Sequence, residues 1–390
     1  MMKLIRTSTI PLSLNVLLKG QLKFLNEFYE VVGVTSEGHL LDELKQREGI
    51  KTIEVNMERG ISPWKDLVSL CRLYKILKVE KPVIVHSITP KAGLLTMLAG
   101  KIAGVPIRIH TFTGLIFPTR KGAVQKLLIS MDQLLCWAAT HIYPEGEGVK
   151  KDLINYRITS KPLKVIGNGN VNGIDLNYFS PEQITEEQKE NLKKELNIQD
   201  TDFVFVFVGR LVGDKGIKEL VEAFSLLNKT ENLQRRPKLL LVGPLEQELD
   251  PLHPDTLKEI ENNPDILSVG FQKDVRPYFA VSQALVFPSY REGFPNVVMQ
   301  AGAMGLPSIV SDINGCNEII IENQNGVIVP VKNSEKLGKA MARIMSDQNY
   351  YDQLKFNARS MIQSRYEQSL VWEALLGEYN KLVKEREYRV

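Results

Sequence analysis

The stretch ALVFPSYREGFPNVVMQAGAMGLP, Ala284–Pro307, decides how this chain is read. Ala284–Pro288 is a short apolar run of the kind a fully buried strand presents. A turn punctuated by Gly293 and Pro295 follows, and Asn296–Gly305 is helix-compatible and rich in Ala, Gly and Met. A strand feeding a Gly/Pro turn and a helix start makes an anion-binding corner, because first-turn N–H groups lack an intrahelical partner. Glu292 stands in that corner, where a carboxylate would repel a phosphate. It suits a hydroxyl-bearing part of a ligand, or else is a solvated residue ahead of a helix cap.

A second corner of the same kind lies upstream. FVFVFVG (Phe203–Gly209) is a continuous apolar run typical of a central parallel strand buried on both faces. VGRLVGDKG (Val208–Gly216) overlaps its end and opens a helical stretch, Ile217–Asn228. Arg210 offers a planar fork of donors and Lys215 a mobile ammonium, both matched to phosphate oxygens. Gly209, Gly213 and Gly216 allow the backbone to approach those oxygens. The plain alternative is a basic surface turn.

Working outward, the rest of the second half alternates in the same way, with strands expected at Lys238–Val242, Ile266–Val269, Ser308–Val310 and Gly326–Val329. The first half does so too. Strands are expected at Lys3–Thr7, Tyr29–Thr35, Thr52–Val55, Val83–His86, Ile107–Thr111, His141–Tyr143 and Lys164–Ile166. Amphipathic stretches separate them near Leu12–Phe28, Leu40–Arg47, Trp64–Val79, Lys91–Ala103, Ala123–Ala139 and Glu147–Tyr156. Strict alternation implies right-handed crossovers and an α/β chain of two doubly wound parallel sheets, with ligands beyond the carboxyl ends of the strands. The loop-like NGNVNGIDLNYFSPEQ (Asn168–Gln183) separates the halves, so we place domains at 1–172 and 173–365. Thr185–Leu196 reads as a charged surface helix. Three helical segments close the chain, Ser334–Met345, Tyr350–Ser364 and Glu367–Arg386, and 366–390 is set apart as a terminal helical segment.

The two corners together carry a resemblance. REGFPNVVMQAGAMGLPSIVSDINGCNEII, from Arg291, resembles the signature of the retaining glycosyltransferases of family four, which have the GT-B architecture. The resemblance implies two Rossmann-like domains facing across a cleft, with the final helix returning to the N-terminal domain. It implies that Arg210 and Lys215 bind the donor's diphosphate and stabilise its departing charge, and that Glu292 contacts the transferred sugar. Gly209, Gly293, Phe294, Pro295, Asn296 and Val297 would complete the donor site, the helix start supplying N–H groups to the phosphates. The family's second Glu, which holds the ribose hydroxyls, is replaced here by Gln300. Gln keeps an acceptor oxygen and loses the charge-assisted bond, so weaker nucleotide binding is expected. Transfer in such enzymes is thought to proceed by front-face departure and attack, so the protein's work is positioning and leaving-group stabilisation.

HSITPKAG, from His86, VPIRIHTFTG, from Val105, and VIGNGNVNGIDL, from Val165, resemble the branch that builds bacterial surface polysaccharides such as capsule and O-antigen. There a sugar is added to a lipid-linked diphosphate intermediate. The N-terminal half would then hold the acceptor, with Lys91 as a candidate for its diphosphate and His86 and His110 as further candidates. Relatives often carry a His where this chain has Thr113.

Composition fits an enzyme of this kind. The 390 residues are 43% hydrophobic and 24% charged, with 49 basic and 46 acidic side chains giving a net charge of +3. That balance argues against nucleic acid as a partner. Cys71, Cys136 and Cys316 are far apart and form neither a disulfide framework nor a zinc site, which fits a reducing cytoplasm. Metal-independent transfer is expected, because the one DxD, Asp200–Asp202, precedes a strand, whereas a ligand-facing site would follow one. No stretch has the ~18 uninterrupted apolar residues of a membrane span. The segment Leu115–Ala139 pairs Arg120, Lys121 and Lys126 with Leu, Ile, Met and Trp137, which suits an ordinary core-facing helix with a solvated rim or one lying on an anionic bilayer; with the lipid acceptor that the resemblance implies, peripheral contact with the inner leaflet is expected.

The reading is a retaining transferase that moves a hexose or N-acetylhexosamine from a UDP-sugar to a polyprenyl-diphosphate saccharide. Three alternatives stay open: a transferase with a small soluble acceptor, a sugar-nucleotide epimerase of the same architecture, and a catalytically retired nucleotide-sugar-binding subunit.

Overall fold

In the computed structural model the residues described are 1–58, 60–228, 235–248 and 250–388. The chain divides into two compact units, Met1–Gly173 with Gln368–Val390, and Ile174–Glu367.

The first unit carries six parallel strands: β1 (Lys3–Thr7), β2 (Glu30–Thr35), β3 (Lys51–Glu54), β4 (Ile84–Ser87), β5 (Ile107–Phe112) and β6 (His141–Pro144). Their spatial order is β3-β2-β1-β4-β5-β6, so the winding direction reverses between β1 and β4. Each strand is followed by a helix, which a parallel connection requires. The expected strand at Lys164–Ile166 does not form. Only Leu163 bridges to Ile142, and the Gly- and Asn-rich turn that follows ends the pairing. The expected helix over Leu12–Phe28 is two helices, Pro11–Leu17 and Gln21–Leu25. Gly20 breaks it at φ +81°, and a Cβ there would lie 2.8 Å from the Trp372 ring.

The helix Gln368–Glu387 belongs to this first unit. Leu375, Tyr379, Leu382 and Val383 are buried in one cluster with Leu4, Leu22, Tyr29, Ile84 and Ile109. Each such side chain contributes about 1.5–3 kcal/mol by leaving water. The helix is also tied by polar groups. Arg6 donates to Tyr379 Oη at 2.6 Å, and the same hydroxyl lies 2.5 Å from His86 Nδ1.

The second unit repeats the winding with β7 (Phe203–Val208), β8 (Pro237–Val242), β9 (Ile266–Ser268), β10 (Ala284–Phe287), β11 (Ser308–Ser311) and β12 (Gly326–Val329). The order is β12-β11-β10-β7-β8-β9, and the reversal falls between β10 and β7. All pairs are parallel. Phe203, Phe205 and Phe207 lie at the centre of the core, as the unbroken apolar run requires. None of the described helices is long and apolar enough to cross a membrane.

Candidate functional site

In a doubly wound sheet the reversal of strand order leaves a crevice at the strand carboxyl ends, where ligands bind. In the second unit that point lies between β7 and β10, and both corners singled out in the sequence rise from it. β7 ends at Val208 and runs into the loop of Arg210 and Lys215; β10 ends at Phe287 and runs into Ser289 and Glu292.

The two loops are joined. Lys215 Nζ is ion-paired with Glu292 Oε1, both side chains about one-sixth exposed. Ser289 Oγ, fully buried, donates to the same carboxylate oxygen at 2.8 Å. Tyr290 N donates to Asp214 O at 2.9 Å, which lays the two loops backbone to backbone. Lys215 Nζ also stands 5.7 Å from the centre of the Phe287 ring. Gly216 permits this closeness. Its φ is +69°, and a Cβ would lie 2.2 Å from Pro288 O.

Arg210 is not drawn into the pair. Its guanidinium donates to Glu246 at 3.0 Å and is nearly half exposed. The loop it shares is clamped from below by Asp250, whose carboxylate accepts from Asp214 N at 2.6 Å and whose carbonyl accepts from Gly213 N at 3.2 Å. Sequence reasoning passed over Asp250, Glu246 and Ser289. Asp250 and Glu246 lie in an acidic loop without motif, and Ser289 is an unremarkable residue until its burial is seen.

Gly293, Phe294 and Pro295 lead into the helix Asn296–Ala303, which starts with no side-chain cap. Phe294 is buried edge-on against Tyr366, with ring centres 5.5 Å apart, and this fixes the entry into the helix. Val297 and Gln300 are partly exposed, and Val298 and Met299 are buried. The Asp200–Asp202 pair is placed as a turn. Asp200 pairs with Lys193, and Asp202, nearly buried, accepts from Gln199 N at 2.8 Å. Among the described residues no group of three or more His, Cys, Asp or Glu is placed to hold a metal ion.

The first-unit candidates are more tightly held. His86 is buried between Arg6, Tyr379 and Thr111, its Nε2 lying 2.7 Å from Thr111 Oγ1. Burial, and then the Arg6 charge, hold its pKa well below the usual histidine value. His110 packs against Phe112 and Gly93 with Nδ1 2.8 Å from Ser87 Oγ, and burial lowers its pKa to about 3. Both rings are neutral hydrogen-bonding groups at neutral pH. Lys91 Nζ donates to both Asp66 oxygens, at 2.7 and 2.6 Å, and to Gly60 O at 2.5 Å. Its ammonium is therefore committed within the unit. Thr113 is partly exposed, and its hydroxyl donates to Ile88 O at 3.1 Å.

This architecture and these corners have relatives. The description "Glycosyl transferase 4-like domain" matches residues 25–169 and "Glycosyl transferases group 1" matches 188–361. The capsular polysaccharide biosynthesis glycosyltransferase CapM of Staphylococcus aureus is 31% identical over 374 residues, covering 95% of each chain. An Escherichia coli UDP-Gal:alpha-D-GlcNAc-diphosphoundecaprenol alpha-1,3-galactosyltransferase is 30% identical over 289 residues, 74% of this chain and 73% of that protein. A glycosyltransferase structure from Rickettsia africae ESF-5 superposes with a TM-score of 0.81 at 22% identity, covering 98% of this chain and 99% of that one, and speaks to the fold. With both halves matched and a relative this similar along nearly its whole length, the chain belongs to the glycosyltransferases of family four, and its fold is GT-B.

Proposed function

We propose that this enzyme transfers a hexose or N-acetylhexosamine, with retention, from a UDP-sugar to a polyprenyl-diphosphate-linked saccharide in surface polysaccharide synthesis. The observation that carries the reading is the Lys215–Glu292 pair, held where the strand order reverses between β7 and β10. An ammonium there can neutralise a departing diphosphate, and the carboxylate beside it can accept hydroxyls of the transferred sugar. Arg210, on the same loop as Lys215, can exchange Glu246 for a phosphate, which offers it a bidentate partner. Gln300, partly exposed on the helix Asn296–Ala303, would serve as a neutral ribose acceptor. The lipid-linked acceptor and the uridine donor are suggested by what the Escherichia coli relative acts on, and the capsular role by the Staphylococcus aureus one.

In this reading transfer needs no metal, Lys215 and Arg210 taking the place of a divalent cation at the leaving group. The protein attaches peripherally to the inner leaflet through the helix Gly122–Ala138. This helix exposes Val124, Leu127, Leu134 and Trp137 beside Lys126, with Arg120 and Lys121 just ahead of it. The test is to incubate the protein with single UDP-sugars and an undecaprenyl-diphosphate saccharide, with and without chelator. Product formed from one donor and unaffected by chelator is expected. Epimer appearing without acceptor, or product formed only on a lipid-free acceptor, replaces this reading with one of the alternatives. Vesicle flotation indifferent to anionic lipid and to neutralising Arg120, Lys121 and Lys126 removes the membrane contact.

A further inference from the structure

At the opposite edge of the first unit's sheet, where β5 and β6 begin rather than end, lies a pocket of about 480 Å³. A strand the length of β5 spans roughly 20 Å, so this pocket is well removed from the carboxyl ends of the strands. Its wall carries Lys101, Arg108, Lys161 and Arg386 against a single carboxylate, Glu385. The charge is not internally neutralised. Arg108 donates to Ala138 O and Val105 O, and Lys161 to Cys136 O and Ala139 O, so both are held by carbonyls that carry no net charge. Lys101 lies 4.1 Å from the centre of the Trp137 ring. Among the described residues neither Lys101 nor Arg386 has an ion-pair partner, and Glu385 is 3.7 Å from Lys381.

These groups divide into a hydrogen-bonded set and an exposed set. The carbonyls of Cys136, Ala138 and Ala139, held by Arg108 and Lys161, close the helix Gly122–Ala138, whose C-terminal dipole offsets part of their charge and fixes their position. Burial first, and then Arg108 and Lys101 as like charges, keep the Lys161 ammonium below its ordinary pKa, as expected where cations crowd without acids. Lys101 and Arg386 stand at the mouth on long side chains. Trp137, 59% exposed, lines the same pocket. Cations held by carbonyls, exposed cations and an aromatic ring alongside make a receptor for a compact, multiply charged anion that has an apolar neighbour.

We propose that this pocket binds a phosphate-class anion, a diphosphate or phosphodiester, brought either by a lipid headgroup or as free phosphate in solution. Nothing in it depends on the transfer reaction or on the donor corner. Two arms separate the sources. In one, inorganic pyrophosphate is titrated calorimetrically at low ionic strength into the full chain, Lys101→Gln/Arg386→Gln and, as a control for the donor corner, Lys215→Gln. In the other, the same proteins are floated with phosphatidylcholine vesicles with and without phosphatidylglycerol.

A pyrophosphate affinity that falls about tenfold or more in the double variant but persists in Lys215→Gln supports a free-phosphate site. Phosphatidylglycerol-dependent flotation lost in the double variant alone supports a headgroup site. Both side chains are exposed, so the fold should survive, and Lys101→Arg/Arg386→Lys should keep whichever binding is found. If the double variant matches the wild type in both arms, or if its loss is shared by the charge-conserving pair, the proposal is overturned.

Discussion

Lys215 and Glu292, 77 residues apart in the chain, meet as an ion pair at the one place in their sheet where neighbouring strands are wound in opposite directions. Each is the other's counter-charge, and Ser289 fixes the carboxylate from beneath. Removing either leaves a partly buried charge alone.

Lys215→Ala should therefore do more than weaken donor binding. We expect turnover to fall by about 100- to 1000-fold, the scale of losing one electrostatic stabiliser of a leaving group. Lys215→Arg should recover part of it. Steady-state kinetics with a fixed donor check this, and an unchanged kcat in Lys215→Ala would exclude the leaving-group role.

Gln300→Glu should tighten UDP binding. A charge-assisted bond to a ribose hydroxyl is worth about 1 kcal/mol more than a neutral one, or roughly fivefold in affinity. Calorimetry on both proteins decides it, and equal affinities would place the ribose elsewhere.

Gly216→Ala combines a left-handed backbone with a Cβ 2.2 Å from Pro288 O. The expected cost is about 1–3 kcal/mol, and relief of the contact must part the two loops. A lowered thermal midpoint together with loss of UDP binding is the expected pattern.

His110 makes stability depend on acid. Its folded pKa, about 3, lies below its unfolded value, so the unfolded chain binds the proton more readily. Stability is undiminished above about pH 6.5 and is lost as pH falls from there toward 3; at pH 4.5 this one group accounts for about 3 kcal/mol. His86 shifts in the same direction. Denaturant titrations across this range should show His110→Asn less stable at neutral pH and flatter toward acid.

Tyr379→Phe removes the hydroxyl that Arg6 and His86 share. A loss of about 1–3 kcal/mol is expected from the buried polar groups left with fewer partners. Chemical denaturation followed by near-ultraviolet dichroism would show it.

Much of the second unit was legible because its central strands, FVFVFV and ALVF, are short unbroken apolar runs that end in Gly- or Pro-marked turns. FVFVFV admits hardly any other placement, and both glycine corners follow from where such strands end. What was not legible depends on residues distant in the chain. Gly20 breaks a helix because the Trp372 ring passes over it, and Lys91 is occupied by Asp66, a residue in the preceding helix. Local pattern shows a lysine at a helix start; only the folded unit shows which carboxylate reaches it. The histidines carry the same lesson. Their strand-end positions suit a ligand site, whereas burial between Arg6, Tyr379, Ser87 and Thr111 makes them part of the scaffold.

The membership of the helix Gln368–Glu387 in the first unit also sets an order of events during synthesis. Residues 174–367 are contiguous and can close around their own core as soon as they leave the ribosome. The first unit, although translated earlier, must wait for Leu375, Tyr379 and Leu382 before its core is covered and before Arg6 and His86 find their partner. The half that is made first is thus the half that is finished last, and its nascent strands stay uncovered until residues 368–387 have been made.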